Sequence, residues 1–555
     1  MGAMGPSVES PSAAPRVLGL EAALVSSGVG RFHARAAFVC GLANAADAVE
    51  VLATGFLLPT AGAELRLGAA AKGALQASVF VGMLLGALLG GAMADARGRR
   101  LALTACMAIT AFFGALTACV PGSGSGAAAA LIGCRALAGV GVGGSAPLAF
   151  SYASELTPAA HRGRMNMYVA STYMLGALLT PALAALLLPH AGWRGFSIAA
   201  AMPAAVCGVC VVSGLPESPR WLLVRGRSNA AMRVLRHIAD VNRVAGPTRG
   251  ATLERLPLPS SMALPGASGK EGIAGWVRRV GALLRCRATR RTTLALACAW
   301  FTISFGWYGN MLYLPTLFAA REGGGPGRAS ATAPPPALAP ASGAGGVADL
   351  PSAVYLDSVI VALANLPGNV ASIWLIDWAG RKRTLMANTA MGGTAAVLLA
   401  FAPRTAAWSV AAGTIFNGLT VGGWNALAAL TAEAFPTPVR TTAGGLVSAC
   451  GRIGGASSGL LQASVAWGAL GLGDVAPLLI GGAMMMVGCA AVSAGIRDDT
   501  AGRALVDTLD GRGGQEAAGG GGTDSAADAL SDAAEAEDEA LLSRVAPASD
   551  RGGVV

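Results

Sequence analysis

The sequence predicts an all-α polytopic membrane protein, with twelve transmembrane helices in two pseudo-symmetric six-helix halves. The chain of 555 residues is 54% hydrophobic and 13% charged, with a mean hydropathy of +0.56. A soluble domain with so few polar residues would aggregate, so the bilayer is the expected solvent. Two charged motifs each occur twice at nearly the same separation, which indicates a duplicated half.

Apolar runs of roughly 20 residues, the length that crosses about 30 Å of hydrocarbon, recur along the chain. They lie near residues 36–60, 70–94, 101–121, 126–152, 165–188, 193–215, 293–318, 353–377, 384–402, 407–432, 442–468 and 475–496. The runs divide the chain into an N-terminal segment (1–35), a first half (36–215), a polar loop (216–292), a second half (293–496) and a tail (497–555).

Basic residues are concentrated in alternate loops between these runs. They are Arg97, Arg99, Arg100, Arg162, Arg164, Arg381, Lys382, Arg383 and Arg440. Because Lys and Arg favour cytosolic loops, both termini and the 216–292 loop are expected in the cytosol. The membrane itself is expected to be the plasma membrane or an endosomal or vesicular membrane. The formal net charge of +10 follows from this topology and implies no nucleic-acid partner.

Two segments outside the runs lack the pattern of a folded domain. Residues 321–350 are rich in Gly, Ala and Pro, and we expect a disordered outward-facing loop. Residues 497–555 carry thirteen acids and five bases and are expected to form a disordered cytosolic tail. Within the tail, Glu537 with Leu541 and Leu542 fits an acidic dileucine signal for a sorting adaptor, a pattern short enough to arise by chance.

Charged residues at the cytosolic ends of the spans are the repeated feature. The stretches YASELTPAAHRG and EAFPTPVR share the spacing E-x-x-P-x-x-x-R, and DARGRR and DWAGRK share D-x-x-G-R. Opposite charges at partly dehydrated helix ends pair strongly, yet remain wet enough to separate. We therefore expect them to latch the two halves together. The predicted latch comprises Asp95, Arg97, Arg99, Arg100, Glu155, Arg162, Asp377, Arg381, Lys382, Glu433 and Arg440.

At these motifs, and at PESPRWLL, the chain resembles the major facilitator superfamily over nearly all of residues 28–505. The opening GVGRFHARAAFVCGLANAADAVEVLATGFLLP, together with YLDSVIVALANLPG and TAGRAL, looks most like the synaptic-vesicle-protein-two-related and organic ion transporter group. Other motifs are of the sugar-porter type.

The resemblance implies the major facilitator fold and secondary transport by alternating access. It also implies a latch that closes the cytosolic side, to which Glu217 and Arg220 would add. The expected substrate is a small organic solute, such as an organic ion or a nicotinate-like acid, moved with protons. We expect no cofactor and no metal, and we expect the protein to be a monomer.

Three charged residues lie within the first and fourth spans, where charge is costly and marks functional sites. Asp47 and Glu50 are three residues apart in the first span and so share a helix face, while Arg135 lies in the fourth. In proton-coupled sugar porters an aspartate of the first span faces an arginine of the fourth. Carried over, Asp47 would accept the proton and Arg135 would set how readily it does so. A permanent structural ion pair is the alternative.

Polar and aromatic side chains interrupt spans seven, eight, ten and eleven. The predicted substrate contacts are Trp307, Tyr308, Asn310, Asp357, Asn365, Trp424, Asn425 and Arg452. Aromatic rings with a few hydrogen-bonding groups suit a small, partly flat organic molecule, and an anionic group is the simplest partner for Arg452. Ordinary packing is the alternative for each aromatic ring. The sequence LPGN resembles a broken-helix element that bends near the midplane.

No nucleophile–base constellation, Walker loop or metal-ligand cluster occurs in the sequence, which disfavours an enzyme and an ATP-driven pump. Two alternatives stay open. One is a sugar/proton symporter, which a scarcity of glutamines within the spans disfavours. The other is a vesicle-membrane regulator that has this fold but does not transport, which uptake by purified protein in proteoliposomes would exclude.

Overall fold

Long helices with short connections make up almost all of the chain that the computed structural model describes. The described residues are 17–122, 124–245, 252–253, 280–281, 283–285, 287–322, 350–401, 406–435, 440–466 and 475–496. The N-terminal part contains α1 Leu20–Ser26, α2 Arg31–Leu57, α3 Thr60–Glu64, α4 Ala69–Arg97, α5 Arg99–Leu116, α6 Ser125–Leu156 and α7 Ala159–Gly214. There follow α8 Pro219–Val224, α9 Ser228–Asn242, α10 Arg287–Glu322, α11 Ser352–Leu363, α12 Asn365–Ala379, α13 Arg381–Phe401, α14 Ala406–Glu433, α15 Arg440–Ala466 and α16 Ala476–Gly495.

Eight helical segments of the described chain are long and apolar enough to cross a membrane. One of them, α7, has 56 residues and kinks at Gly192 (φ 60°, ψ −171°), so it supplies two crossings. The helices α10, α14 and α15 have 36, 28 and 27 residues and are also long enough, since a crossing takes about 20 residues. The result is the predicted architecture of twelve crossings, six in a first half (α2–α7) and six in a second (α10–α16).

The eighth crossing is interrupted at one residue, Ala364, between α11 and α12, just before the LPGN sequence. The first of these helices ends at Leu363 and the second begins at Asn365. Pro367 has no amide hydrogen and cannot continue the hydrogen-bond ladder of α11. Gly368 brings α12 against α14, because a Cβ at this position would lie 2.2 Å from the Gly418 carbonyl oxygen. The interruption therefore adjoins the predicted element, whose bending near the midplane stays a prediction.

Glycines allow α4 and α6 to touch backbone to backbone. A Cβ at Gly86 would lie 2.0 Å from the Val140 carbonyl oxygen, and one at Gly143 would lie 2.0 Å from that of Met83. Such close approach of small residues is typical of helices that pack in lipid. It fixes α6, which carries Arg135, against its neighbour.

Shared hydrophobic clusters join the two halves at one end of the bundle and at mid-depth. At one end Phe56 and Phe318 belong to a single cluster, and at mid-depth Phe80 and Tyr308 belong to another. At the end that carries the repeated charged motifs, which we call the motif end, each half has its own cluster. The other end is called the opposite end below.

A small apolar cavity lies in the contact between the halves near the opposite end. Its volume is about 40 Å³, and its lining includes Leu52, Thr180, Leu314 and Ser358. These residues belong to α2, α7, α10 and α11, so both halves contribute to the lining. The cavity is small and apolar, which indicates that the halves are closed against each other at this end.

A small module covers part of the motif end. Val17–Leu18 pairs in parallel with Thr252–Leu253, and Leu24 of α1 shares a hydrophobic cluster with Leu235 of α9. The amphipathic helix α9 falls within the polar loop predicted between the halves. The N-terminal segment is thus folded onto this loop.

Several predicted features lie outside the described residues. They are most of the 321–350 loop, the 497–555 tail with Glu537, Leu541 and Leu542, and the side chains of Asp377 and Arg440.

Candidate transport site

Arg135 pairs with Glu50. Both side chains are buried, at 2% and 1% exposure, and Arg135 Nη1 donates to the Glu50 carboxylate. Its Nη2 donates to the Glu50 backbone carbonyl and, at 3.0 Å, to Thr54 Oγ1. The expected pairing of Arg135 with Asp47 is therefore wrong. The cause is depth, since Arg135 lies nearer the opposite end of the bundle than Asp47 does.

Asp47 is held by Ser145 of α6. Its two carboxylate oxygens lie 2.7 and 2.8 Å from the Ser145 hydroxyl, which donates to the carboxylate. The Asp47 residue is 3% exposed. Among the described residues no basic nitrogen lies within 4.0 Å of this carboxylate. A buried carboxyl group thus has a neutral hydrogen-bond donor and no ion pair.

Arg452 of α15 approaches the same region from the second half. Its Nη1 donates to Met83 Sδ on α4 at 3.9 Å, and a thioether is a weak acceptor. Met83 packs against Gly143, two residues from Ser145 on α6. The charges of Arg452 and Asp47 are close enough to interact electrostatically. A cation of the second half and a carboxyl group of the first therefore lie in the same region of the bundle.

Five aromatic rings meet at mid-depth, and we call them the aromatic cluster: Phe80 and Tyr173 of the first half, and Trp307, Tyr308 and Trp424 of the second. Neighbouring ring centroids are separated by between 4.8 and 6.3 Å. The structure thus brings together three predicted substrate contacts and adds two rings that the sequence did not single out.

The two indole groups of the cluster have different hydrogen-bond partners. Trp307 Nε1 donates to Asn417 Oδ1 at 3.2 Å. Trp424 Nε1 is buried without a partner in the described structure. An unpaired buried donor is unusual in proteins and is available to a ligand.

Asn425 belongs to a chain of polar groups that crosses from one half to the other. Its Nδ2 donates to Asn369 Oδ1 at 2.6 Å and to Ser372 Oγ at 2.7 Å. Asn369 Nδ2 in turn donates to Ser171 Oγ of α7 at 3.3 Å. This predicted contact therefore lies in a hydrogen-bonded bridge between the halves.

Three other predicted substrate contacts lie apart from the aromatic cluster. Asn310 packs against Gly481 of α16, Asp357 lines a surface groove with α14, and Asn365 donates to the Ala362 carbonyl oxygen at the helix break. The side-chain oxygen of Asn365 and both polar atoms of Asn310 are buried without hydrogen bonds to described residues.

Arg99 organises the motif end of the first half. Its Nε donates to Glu155 at 3.2 Å and its Nη1 to Asp95 at 3.0 Å. Glu217 accepts from the Arg99 backbone amide at 2.8 Å, which caps the start of α5. Arg100 Nη2 donates to the Val212 carbonyl oxygen.

Arg162 has a partner that the sequence did not reveal. Its Nη2 donates to Glu21 of α1 at 2.7 Å. The same carboxylate accepts from the Ala159 backbone amide at 2.5 Å, where its negative charge suits the start of α7. The N-terminal module is thereby attached to the E-x-x-P-x-x-x-R motif.

In the second half, Arg381 pairs with Glu433 at 3.2 Å, which repeats the Arg99–Glu155 contact. Arg97 and Arg220 are exposed and Lys382 is half-buried. Each described ion pair of the predicted latch lies within one half, because the two charges stand on neighbouring helices of that half. The ion pairs described here do not link latch residues of different halves, and a latch across the halves stays a prediction.

Ser145, Asn369 and Glu21 are the functional candidates that sequence reasoning missed. Ser145 interrupts the glycine ladder of α6, and Asn369 follows the LPG sequence. Either could have been noticed as a polar residue within an apolar span. Glu21 gave no signal, because its role depends on the fold of the N-terminal segment onto α7.

Comparison with known proteins gives the same architecture. Synaptic vesicle glycoprotein 2A of Bos taurus is 28% identical over 588 residues, which cover 84% of this chain and 77% of that protein. Synaptic vesicle glycoprotein 2C of Homo sapiens is 33% identical over 320 residues, which cover 52% and 43%. The predicted resemblance to this group is confirmed.

A solved structure agrees in fold. The xylose transporter XylE from E. coli, in a partially occluded inward-open conformation, superposes with a TM-score of 0.61 at 18% identity, covering 87% of this chain and 100% of that chain. The family model of the Major Facilitator Superfamily matches residues 36–459. With twelve crossings in two halves and this match over most of its length, the chain belongs to the major facilitator superfamily of membrane transporters.

Proposed function

We propose that this transporter moves a small, flat organic anion, such as a nicotinate-like acid, together with protons and by alternating access. The observation that carries this function is Arg452. Its guanidinium has one weak hydrogen bond in the described structure and lies at mid-depth beside the aromatic cluster. An arginine in this position favours an anionic ligand, since the fork of a guanidinium matches a carboxylate.

The aromatic cluster supplies the other half of the recognition. Faces and edges of Trp, Tyr and Phe rings pack well on a flat ring, and the unpaired Trp424 Nε1 offers a donor. A hexose would instead require many amide and hydroxyl groups that converge on its hydroxyls. An organic cation would be repelled by Arg452. A flat organic anion therefore fits this arrangement better than either.

Proton coupling is assigned to Asp47. A carboxyl group at mid-membrane is costly when it is charged, and Asp47 has no ion pair among the described residues. Uptake of a proton removes that charge, so Asp47 can be protonated in one part of a transport cycle and ionised in another. Glu50 and Arg135 neutralise each other and would support the site without carrying the proton.

Alternating access is supported by the uneven contact between the halves. They share hydrophobic clusters at the opposite end and at mid-depth, while the motif end has a separate cluster in each half. If the basic loops lie in the cytosol, as their charge predicts, this state faces the cytosol. Closing the motif end would bring the two sets of repeated charges together.

Uptake by purified protein in proteoliposomes tests this function. We expect labelled nicotinate to accumulate only when a pH gradient is imposed. The Asp47→Asn variant should lose accumulation and keep counterflow, because exchange of bound substrate does not need a net proton movement. Asp240→Asn, an exposed carboxylate on α9, serves as the matched control and should behave as the unchanged protein.

Three results would contradict the proposal in different ways. Hexose uptake without nicotinate uptake would favour sugar symport. Neither uptake nor counterflow of nicotinate, a hexose or an organic cation would favour the non-transporting regulator. Full accumulation of nicotinate by Asp47→Asn would remove Asp47 from the coupling role.

A further inference from the structure

We infer that Asp47 and the substrate anion compete for Arg452, so that a proton on Asp47 and an anion on Arg452 are bound and released together. This competition rests on the proposed function, and it explains how binding of the proton and binding of the anion are linked. It assigns to Arg452 the coupling role that the sequence pattern gave to Arg135.

The first support is that Arg135 already has partners of its own. Within the described spans, Arg135 and Arg452 are the two arginines that lie well inside a helix rather than near an end or a kink. Arg135 is buried and makes three hydrogen bonds, two to Glu50 and one to Thr54. It can leave Glu50 only by stranding a buried charge, which is strongly unfavourable. Arg135 is therefore not free to exchange partners.

The second support is that Arg452, unlike Arg135, makes few hydrogen bonds in the described structure. A guanidinium has five donors, and the structure describes one bond for this group, to a thioether. The side chain is partly exposed, so a ligand can reach it. Arg452 belongs to the second half and Asp47 to the first, so their separation changes when the halves move. This cation is able to exchange one anionic partner for another.

The third support is the environment of Asp47. Five titratable or charged groups from the surrounding helices interact with it electrostatically: Glu50, Arg452, Tyr173, Cys106 and Cys207. Thiol and phenol groups are neutral near physiological pH, and Glu50 and Arg135 neutralise each other. Arg452 is thus the uncompensated charge to which Asp47 responds.

The cycle that follows is balanced in charge. With Asp47 ionised, its carboxylate holds Arg452 by electrostatic attraction. A proton from solution neutralises Asp47, and the carboxylate of the substrate then takes its place as the partner of Arg452. One proton and one monovalent anion move together, so each cycle carries no net charge. Release of the anion on the other side returns Arg452 to Asp47 and expels the proton.

Linked binding can be measured on the full-length purified protein with nicotinate and its neutral analogue nicotinamide. We expect nicotinate affinity to increase at least about fivefold between about pH 7.5 and about pH 5.5, within the usual range of coupling between sites. Asp47→Asn should bind nicotinate tightly at both pH values. Arg452→Gln should bind nicotinate no better than nicotinamide, and nicotinamide binding should depend on pH in none of the proteins.

Retained nicotinamide binding shows that each variant is folded. In proteoliposomes, nicotinate uptake should follow the pH gradient and be unaffected by an imposed membrane potential. The inference is overturned if Asp47→Asn keeps the pH dependence of the unchanged protein, or if Arg452→Gln binds nicotinate as well as the unchanged protein does. If the unchanged protein binds neither compound at either pH, the proposed function itself is wrong, and the competition falls with it.

Discussion

At the scale of single residues, position along a helix decides which charges meet. Asp47 and Ser145 are in contact, and α2 and α6 run in opposite directions. Arg135 lies ten residues before Ser145, which is about 15 Å along α6 towards the opposite end. Glu50 and Thr54 lie about 4.5 and about 10.5 Å along α2 in the same direction, so the arginine side chain reaches these two residues and not Asp47.

The buried pair is expected to be energetically coupled. Glu50→Gln or Arg135→Gln alone should lower the free energy of unfolding by about 3–5 kcal/mol, because each leaves a buried charge without its partner. The double variant should lose much less than the sum of the two. Thermal unfolding in detergent measures the three differences, and additive losses would show that the residues do not interact. Arg194→Gln, which breaks a half-exposed pair with Glu64, is the control and should cost about 0–1 kcal/mol.

At the scale of helices, the two D-x-x-G-R motifs form the same turn. Gly98 ends α4 with φ 106° and ψ 160°, and Gly380 ends α12 with φ 90° and ψ 163°. This backbone region is open essentially to glycine alone. At Gly98 the space is also filled, since a Cβ would lie 2.3 Å from a carboxylate oxygen of Glu217. The duplication seen in the sequence is therefore a duplication of backbone conformation as well.

Gly98→Ala is expected to destabilise the protein by about 1–3 kcal/mol from backbone strain alone. It should also push Glu217 away from the start of α5, where this carboxylate accepts from the Arg99 amide. The thermal unfolding midpoint is the measurement. Gly133→Ala, where nothing lies within 4 Å of an added Cβ, is the matched control. An equal effect at both positions would show that the turn geometry is unimportant.

At the scale of the whole molecule, the halves are joined by apolar contacts at the opposite end and at mid-depth. Residues of α2 and α7 in the first half and of α10 and α11 in the second enclose the cavity of about 40 Å³ that contains Ser358. No ion pair between the halves is described among the latch residues. Opening at this end therefore requires the separation of packed apolar surfaces, whereas the described hydrophobic clusters of the motif end are separate in the two halves.

Thiol labelling should detect this difference. Ser358→Cys, combined with Cys119→Ser, is expected to react slowly with a membrane-impermeant maleimide, because the contact between the halves partly covers this side chain. Labelling should accelerate when substrate and a pH gradient drive transport, since the cavity opens in each cycle. Cys119 of the unchanged protein is exposed and is the positive control for reagent access. Rapid labelling of Ser358→Cys without substrate would show that this end is open at rest.

Much of the fold could be predicted from the sequence because it depends on local patterns. Apolar runs of sufficient length determine the crossings, LPGN marks the broken eighth crossing, and the repeated motifs mark the turns at Gly98 and Gly380. The sequence also singled out several residues of the candidate site, since a charged or aromatic residue within an apolar span is visible without any structure. Trp307, Tyr308, Trp424 and Arg452 were found in this way.

Partners were decided by the tertiary structure, because they depend on helix depth and on which helices touch. Because of their depths, Arg135 pairs with Glu50 and Asp47 accepts from Ser145. The N-terminal segment folds so that Glu21 lies beside Arg162 and pairs with it. In the second half, Gly413 stands where the arginine of the first half would recur, and a Cβ there would lie 3.3 Å from Val361 Cγ2, so close packing of α14 on α11 leaves no room for a long side chain. The sequence alone determined the number of crossings and singled out several residues of the candidate site, while contacts between distant helices determined which of those residues meet.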